Sequence, residues 1–254
     1  CRIPHLLPIL KILRLFLMLL IFESSSYLHD MIIFVNVNFI NNDCNIVNSG
    51  KLNMELDLKM LNEAILNENK DATVRFYNWS PKCISLGKNQ PFEDFYNDLG
   101  IDIVRRPTGG RALLHDKELT YCFVSPVKKG QSVIESYKDI SDALILGFKK
   151  LGIELEYSSV RSKNLRYCMN ISCGADVSYK GRKLIGSAQF RSRGYLLQHG
   201  SILYDLDFEL VEKIFKQKVE KNSIVTLNEI NDKLTQGAII DALKSSFKEK
   251  FQTS

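Results

Sequence analysis

The sequence lacks paired metal-type ligands. Its six cysteines stand at Cys1, Cys44, Cys83, Cys122, Cys168 and Cys173, with no C-x-x-C spacing. The four histidines, His5, His29, His115 and His199, include no pair one helical turn apart. A structural zinc site is therefore not expected. Scattered single cysteines in 254 residues point to a reducing compartment, read here as the cytoplasm, and not to a disulfide framework. The charge is not lopsided either. Lysine plus arginine number 34 and aspartate plus glutamate 29, a net charge of +5. A dedicated nucleic-acid binder usually carries a larger surplus, so none is expected as partner, although an acidic protein suits this balance. With 45% hydrophobic and 25% charged residues, the composition is that of a folded globular chain.

No long hydrophobic run is present. The longest amino-terminal one, residues 15–22, has eight residues, against about 20 for a membrane span. Arg2, Lys11 and Arg14 precede it, as in a signal peptide. Pro4 and Pro8 interrupt the segment, no A-x-A site follows, and Met31 offers an internal start. Residues 1–30 are expected to be an upstream extension outside the fold, with a targeting segment as the alternative. No membrane partner is expected.

Internal repeats and long low-complexity linkers are also missing. What is present alternates between strand and helix patterns. Residues 36–53 read as strand plus turn. Met54, Leu58, Leu61 and Ile65 form one helical stripe. Strands are expected over 73–77, 83–86, 101–104, 119–124, 153–157 and 195–203, with a hairpin over 177–185 turning at Lys180-Gly181. Ser132 and Glu135 form a capping box before the stripe Tyr137, Ile140, Leu144, Phe148 and Leu151, which Gly152 closes. Thr226 and Glu229 suggest a second box, ahead of the stripe Ile240, Leu243, Phe247 and Phe251. The expected class is α+β, a mixed β-sheet layered with helices.

Three segments carry chemistry-bearing residues. In Arg105-Arg106-Pro107-Thr108-Gly109-Gly110-Arg111, the glycine pair permits close backbone approach and the arginines offer charge for a phosphate or carboxylate. The pair fits neither nucleotide fingerprint, and a tight turn with solvated arginines is the plain alternative. Lys183 precedes two apolar residues and the small-residue stretch Gly186-Ser187-Ala188-Gln189, read as a turn. It either enters a pocket to hold a carbonyl or lies on a strand surface. Cys168 and Cys173 precede Lys183 by fifteen and ten residues. A thiolate beside a cation is a competent acyl acceptor, whereas a buried cysteine is inert. His115 and His199 read either as site residues or as structural hydrogen-bonding groups, and Arg75 and Trp79 as pocket wall or strand packing.

In order and spacing, Val74-Arg75-Phe76-Tyr77-Asn78-Trp79, the 105–116 segment with Glu118-Leu119-Thr120-Tyr121, the 181–189 segment and Leu197-Gln198-His199-Gly200-Ser201-Ile202 resemble the biotin/lipoate–protein ligase superfamily. Within it, the sequence looks most like the cysteine-dependent, lipoate-ligase-like octanoyltransferases, over about residues 44–206. The resemblance implies a fold like that of class II aminoacyl-tRNA synthetases and biotin synthetases. It implies a catalytic domain over 31–206, followed by a helical tail over 207–254. The short tail favours a transferase over ligases that carry an accessory domain.

The resemblance further implies Cys168 as nucleophile and Lys183 as the group holding the acyl carbonyl. The substrate would be bound by Arg106, Thr108, Gly109, Gly110, His115, Gly186, Ser187, Ala188, His199 and Gly200. The donor would be octanoyl-acyl carrier protein. The acceptors would be lipoyl domains of 2-oxoacid dehydrogenases or the glycine cleavage H protein. No cofactor or metal is implied; ATP and Mg²⁺ would enter only for the alternative, an ATP-dependent lipoate–protein ligase. A lipoyl-domain to lipoyl-domain octanoyl amidotransferase is a further alternative. Met169 stands where an aromatic residue usually follows the nucleophile, Cys173 is five residues on, and Asp176 occupies a position where many ligases carry aspartate. Cys173, or no nucleophile at all, therefore stays open beside Cys168.

Overall fold

A computed structural model describes residues 36–40, 47–93, 100–158 and 176–252. The extension expected over 1–30 and both Cys168 and Cys173 lie outside the described residues.

The alternating segments form strands, in chain order β1 (Val37–Ile40), β2 (Val47–Asn48), β3 (Ala72–Trp79), β4 (Cys83–Leu86), β5 (Asp102–Arg105), β6 (Leu113–His115), β7 (Glu118–Pro126), β8 (Glu156–Tyr157), β9 (Val177–Tyr179), β10 (Arg182–Ser192) and β11 (Tyr195–Leu203). Among the described residues, the larger sheet runs β1-β3-β7-β11-β10-β9-β8, with β2 also paired to β3. β1 and β2 run parallel to β3, and the other neighbours are antiparallel. A second sheet, β5-β4-β6, has one parallel and one antiparallel pair. The helices are α1 (Gly50–Leu66), α2 (Val133–Lys150), α3 (Phe208–Phe215), α4 (Leu227–Asn231) and α5 (Gln236–Gln252). This is the expected α+β arrangement.

Side chains two apart in a strand share a face. Val74 and Phe76 of β3 and Tyr121 and Phe123 of β7 therefore join Ile140, Leu144 and Phe148 of α2 and Leu243, Phe247 and Phe251 of α5 in one core. The intervening residues Tyr77, Trp79, Cys122 and Val124 meet Met54, Met60 and Leu61 of α1. A third cluster joins β4 and β6 to α3 through Ile84, Leu86, Leu114, Val211 and Phe215. The larger sheet is thus covered by helices on both faces.

Several sequence expectations need correction. Leu58 is 38% exposed, because the buried face of α1 runs through Asn53, Met54, Asp57, Met60, Leu61 and Ala64. Two polar residues turn the helix toward Arg75 of β3, whose guanidinium they bind. Residues 186–189 are not a turn but the middle of β10. The strand expected over 153–157 shortens to Glu156–Tyr157. Thr226 makes no side-chain cap; its hydroxyl meets Glu229 Oε1 at 3.3 Å. The Ser132–Glu135 capping box forms as expected.

Phe247 packs against the rings of Phe123 and Phe251, at 5.6 and 6.1 Å, and is fully buried. Phe247→Ala is expected to cost about 3–5 kcal/mol, measured as a lower urea midpoint in equilibrium unfolding.

Candidate active site

Strand register brings three of the sequence-singled segments together. Gly200 of β11 pairs with Ser187 of β10 on one side and Tyr121 of β7 on the other. A Cβ at position 200 would lie 2.6 Å from both Ser187 Oγ and Tyr121 Cε1. The missing side chain lets Tyr121 Oη and Ser187 Oγ hydrogen-bond across the strand at 2.8 Å. Gln198 Nε2 donates to the same phenol oxygen at 2.9 Å.

Two cavities meet at Ser187 and Ala188, which line both. The inner one lies between α1 and the two sheets, with Met54, Tyr77, Trp79, Leu113 and His115 among its walls. Trp79 stacks on His115, ring centroids 3.8 Å apart. Neither ring is free to turn. Trp79 Nε1 donates to Thr120 Oγ1 at 2.8 Å. His115 Nδ1 meets Glu118 Oε1 and its Nε2 meets Ser85 Oγ, both at 2.7 Å. Glu118 Oε1 also accepts from Thr120 and Ser201. Burial alone would raise the Glu118 carboxyl; the charge and hydrogen bond of His115, with the two hydroxyls, outweigh it and hold the group below the usual range.

The outer cavity is lined by Gly109 and Gly110, Tyr137, Asp176, Lys183 and Gln189. Lys183 is 4% exposed; its Nζ donates to Asp176 Oδ2 at 2.8 Å. Asp176 Oδ1 in turn accepts the Ser187 N–H at 3.2 Å, and Tyr137 Oη donates to the Ser187 carbonyl at 2.9 Å. A buried lysine needs such a carboxylate to remain an ammonium. The surface-strand alternative for Lys183 is thereby excluded.

The glycine loop is fastened from beneath. Arg106 donates to the carbonyls of Ser85, Gly109 and Arg111 at 3.0, 2.8 and 2.7 Å, and Arg105 to those of Gly87 and Gln90. These two arginines shape the loop; Arg106 is buried, so the solvated reading fails for it, while Arg105 stays exposed. Gly87 and Gly110 pack backbone to backbone: a Cβ at position 87 would lie 2.1 Å from the Gly110 carbonyl oxygen. Thr108 Oγ1 meets His199 Nε2 at 2.7 Å. His199 Nδ1 meets Asp57 Oδ2 at 3.0 Å, and Asp57 also takes Arg75 Nη1 at 2.9 Å and Tyr77 Oη at 2.8 Å. A carboxylate only accepts, so neutral His199 carries its proton on Nδ1 and accepts the threonine hydroxyl on Nε2.

This geometry coincides with family evidence. Residues 49–252 match the model of the lipoyl protein ligase A/B catalytic domain. The chain belongs to that family. Among relatives, octanoyltransferase LipM of Staphylococcus epidermidis is 35% identical over 236 residues, covering 82% of this chain and 85% of its own. Octanoyltransferase LipM of Carboxydothermus hydrogenoformans is 42% identical over 180 residues, 67% of this chain and 66% of its own. The fold is shared with a crystal structure of lipoate-protein ligase A bound with ATP, at TM-score 0.66, 18% identity and 85% coverage of both chains.

In this family member, the residues singled out in sequence fall as follows. Arg106, His115, Gly186, Ser187, Ala188, His199 and Gly200 line the inner cavity. Gly109, Gly110 and Lys183 line the outer one, and Thr108, within the loop, is buried against His199. Trp79 belongs to the cavity wall, whereas Arg75 is fully buried against Asp57. Burial pushes the Cys83 thiol up to about 12 and raises Cys122 well above its ordinary value, so neither offers a thiolate at neutral pH. Sequence reasoning missed Asp57, Glu118, Tyr121, Gln198 and Tyr137. Glu118, Tyr121 and Gln198 carried a signal, lying inside quoted motif segments, and Tyr137 stood in the helical stripe without a site role. Among the described residues, no helix is long and apolar enough to cross a membrane.

Burial holds the His199 imidazole below the ordinary histidine range, the opposing pull of Asp57 being outweighed. A group with a depressed folded-state value contributes stability above its unfolded value, about 6.5 for histidine, and loses it as pH falls. Unfolding free energy from urea titrations should therefore drop as pH falls from 7 toward 5. His199→Asn should flatten that drop; an unchanged slope would contradict this assignment.

Proposed function

We propose that this protein is an octanoyltransferase of protein lipoylation. It moves an octanoyl group from octanoyl-acyl carrier protein through a cysteine thioester to a lipoyl-domain lysine. The observation that carries the reading is the buried Lys183–Asp176 pair at the junction with an inner, largely apolar-walled cavity, in a chain whose relatives are named octanoyltransferases.

The eight-carbon chain enters the inner cavity past Ser187 and Ala188 toward Trp79 and Met54. The thioester carbonyl stays at the outer cavity. There the Lys183 ammonium and backbone N–H groups stabilise the oxyanion that develops when a thiolate attacks. Cys168 supplies that thiolate. Its sulfur bonds to the carbonyl carbon, the donor's C–S bond breaks, and the carrier thiolate leaves and takes up a proton. The acceptor lysine, as free amine, then attacks the enzyme thioester. An amide forms, the Cys168 thiolate departs, and the ammonium proton passes to solvent. Exchange of thioester for amide is downhill, so the reaction needs neither ATP nor a metal ion. The acceptors are lipoyl domains of 2-oxoacid dehydrogenases or the glycine cleavage H protein, and the setting is cytoplasmic. Splitting one transfer into two lets both proteins use one site in turn.

Intact-mass measurement after incubation with octanoyl-acyl carrier protein, without ATP, should show a hydroxylamine-labile octanoyl adduct that is absent in Cys168→Ala. Lys183→Ala should lower the acylation rate by about 10²–10³-fold, the scale of one lost oxyanion donor. An adduct lost only in Cys173→Ala would move the nucleophile. No adduct, with lipoate transfer that requires ATP and Mg²⁺, would replace the reading by a ligase.

A further inference from the structure

The connection from β7 into α2 presents an exposed face that the chemistry above does not use. Lys128 and Lys129 are exposed there, as is Arg193 in the neighbouring β10–β11 turn. The two segments are joined by the Val127 N–H to the Gly194 carbonyl, at 2.8 Å. Next to the cations stand Val133 and Ile134, 53% and 48% exposed. The buried residues of α2 begin only at Ser136, so the two aliphatic side chains of this first turn are half-exposed and lie outside the core cluster. The nearest acids in the chain are already engaged. Glu135 caps the Ser132 N–H, and Asp139 accepts from Gln131 and pairs with Lys250. The face presents an apolar pair edged by the exposed cations Lys128, Lys129 and Arg193, with the Glu135 carboxylate tied to its cap.

The face is rigidly tied to the outer cavity. Arg191 donates to the carbonyls of Gln131 and Ser132 at 2.8 and 2.6 Å, to Ser136 Oγ at 2.7 Å and to Gln189 Oε1 at 3.1 Å. Gln189 lines the same cavity as Lys183. The two positions are six residues apart on β10, about 20 Å at the usual strand rise. A lysine side chain, four methylenes and an ammonium, does not span that distance. A thioester at the end of a long flexible prosthetic arm does.

We infer that this face docks the acyl donor, an acidic carrier domain whose acylated arm runs along β10 from Gln189 to Lys183. The inference rests on the transferase reading above and adds to it where the donor binds. Charge at the edge of such a contact acts mainly on encounter rate and its salt dependence, while the apolar pair supplies the desolvated centre.

The test compares two donors, octanoyl-acyl carrier protein and octanoyl-pantetheine, which has the arm without the protein. The variants are Lys128→Glu/Lys129→Glu and Val133→Ser/Ile134→Ser. Each should lower kcat/KM for the carrier donor by roughly tenfold or more, the low end of electrostatic steering. The lysine variant should also lose most of the salt dependence. Acylation by octanoyl-pantetheine and the thermal midpoint should stay at wild-type values. An unchanged kcat/KM for the carrier would overturn the inference, as would an equal loss with both donors. Impairment confined to discharge onto the lipoyl domain would assign the face to the acceptor instead. If the wild-type protein takes octanoyl from neither donor, the transferase reading itself falls.

Discussion

The Asp57 carboxylate is the point on which the site hangs. It is fully buried and takes hydrogen bonds from Arg75, Tyr77 and His199. Those partners come from β3 and β11, and His199 continues the connection to Thr108 in the glycine loop. One anion on α1 thereby sets the distance between helix, sheet and loop. Burying an ion pair is not itself stabilising to any great degree, but removing one partner leaves an uncompensated charge that costs about 3–5 kcal/mol. The pair therefore holds one arrangement of these elements against others that would bury the same apolar area.

A second buried carboxylate, Glu118, does similar work at the far wall. It fixes His115 and Thr120, and through them the stacked Trp79 ring. Trp79 and His115 in the wall of the inner cavity thus have their rotamers set by hydrogen bonds. Preorganisation of this kind lowers the entropy cost of binding the acyl chain that the proposed function places there. The third carboxylate, Asp176, aims Lys183 through a hydrogen bond while also anchoring the backbone of Ser187. Three acids from three segments of the chain accordingly position loop, wall and ammonium.

Much of this was legible in the sequence because strand and helix periodicities are local. The alternation in 73–77 and 195–203 placed β3 and β11, and the Ser132–Glu135 box placed the start of α2. The quoted motifs also brought Lys183, Ser187, Ala188, His199 and the glycine loop to one place. What could not be read depended on partners distant in the chain. Asp57 was missed because Arg75, eighteen positions on, gave no sign of pointing at it. Arg105 and Arg106 read either as solvated or as anion ligands because nothing in a linear string shows which carbonyls need donors. Gly186-Ser187-Ala188 looked like a turn because small residues serve equally where a strand needs room beside Gly200.

The account stands on an acyl carbonyl held by Lys183 with its chain running inward toward Trp79. A crystal structure with a non-cleavable octanoyl ketone analogue of the thioester addresses that placement directly. The account predicts the ketone oxygen within hydrogen-bond distance of Lys183 Nζ and the tail between Met54 and the Trp79–His115 stack. A chain lying outside the inner cavity, with Lys183 turned from the carbonyl, would contradict it.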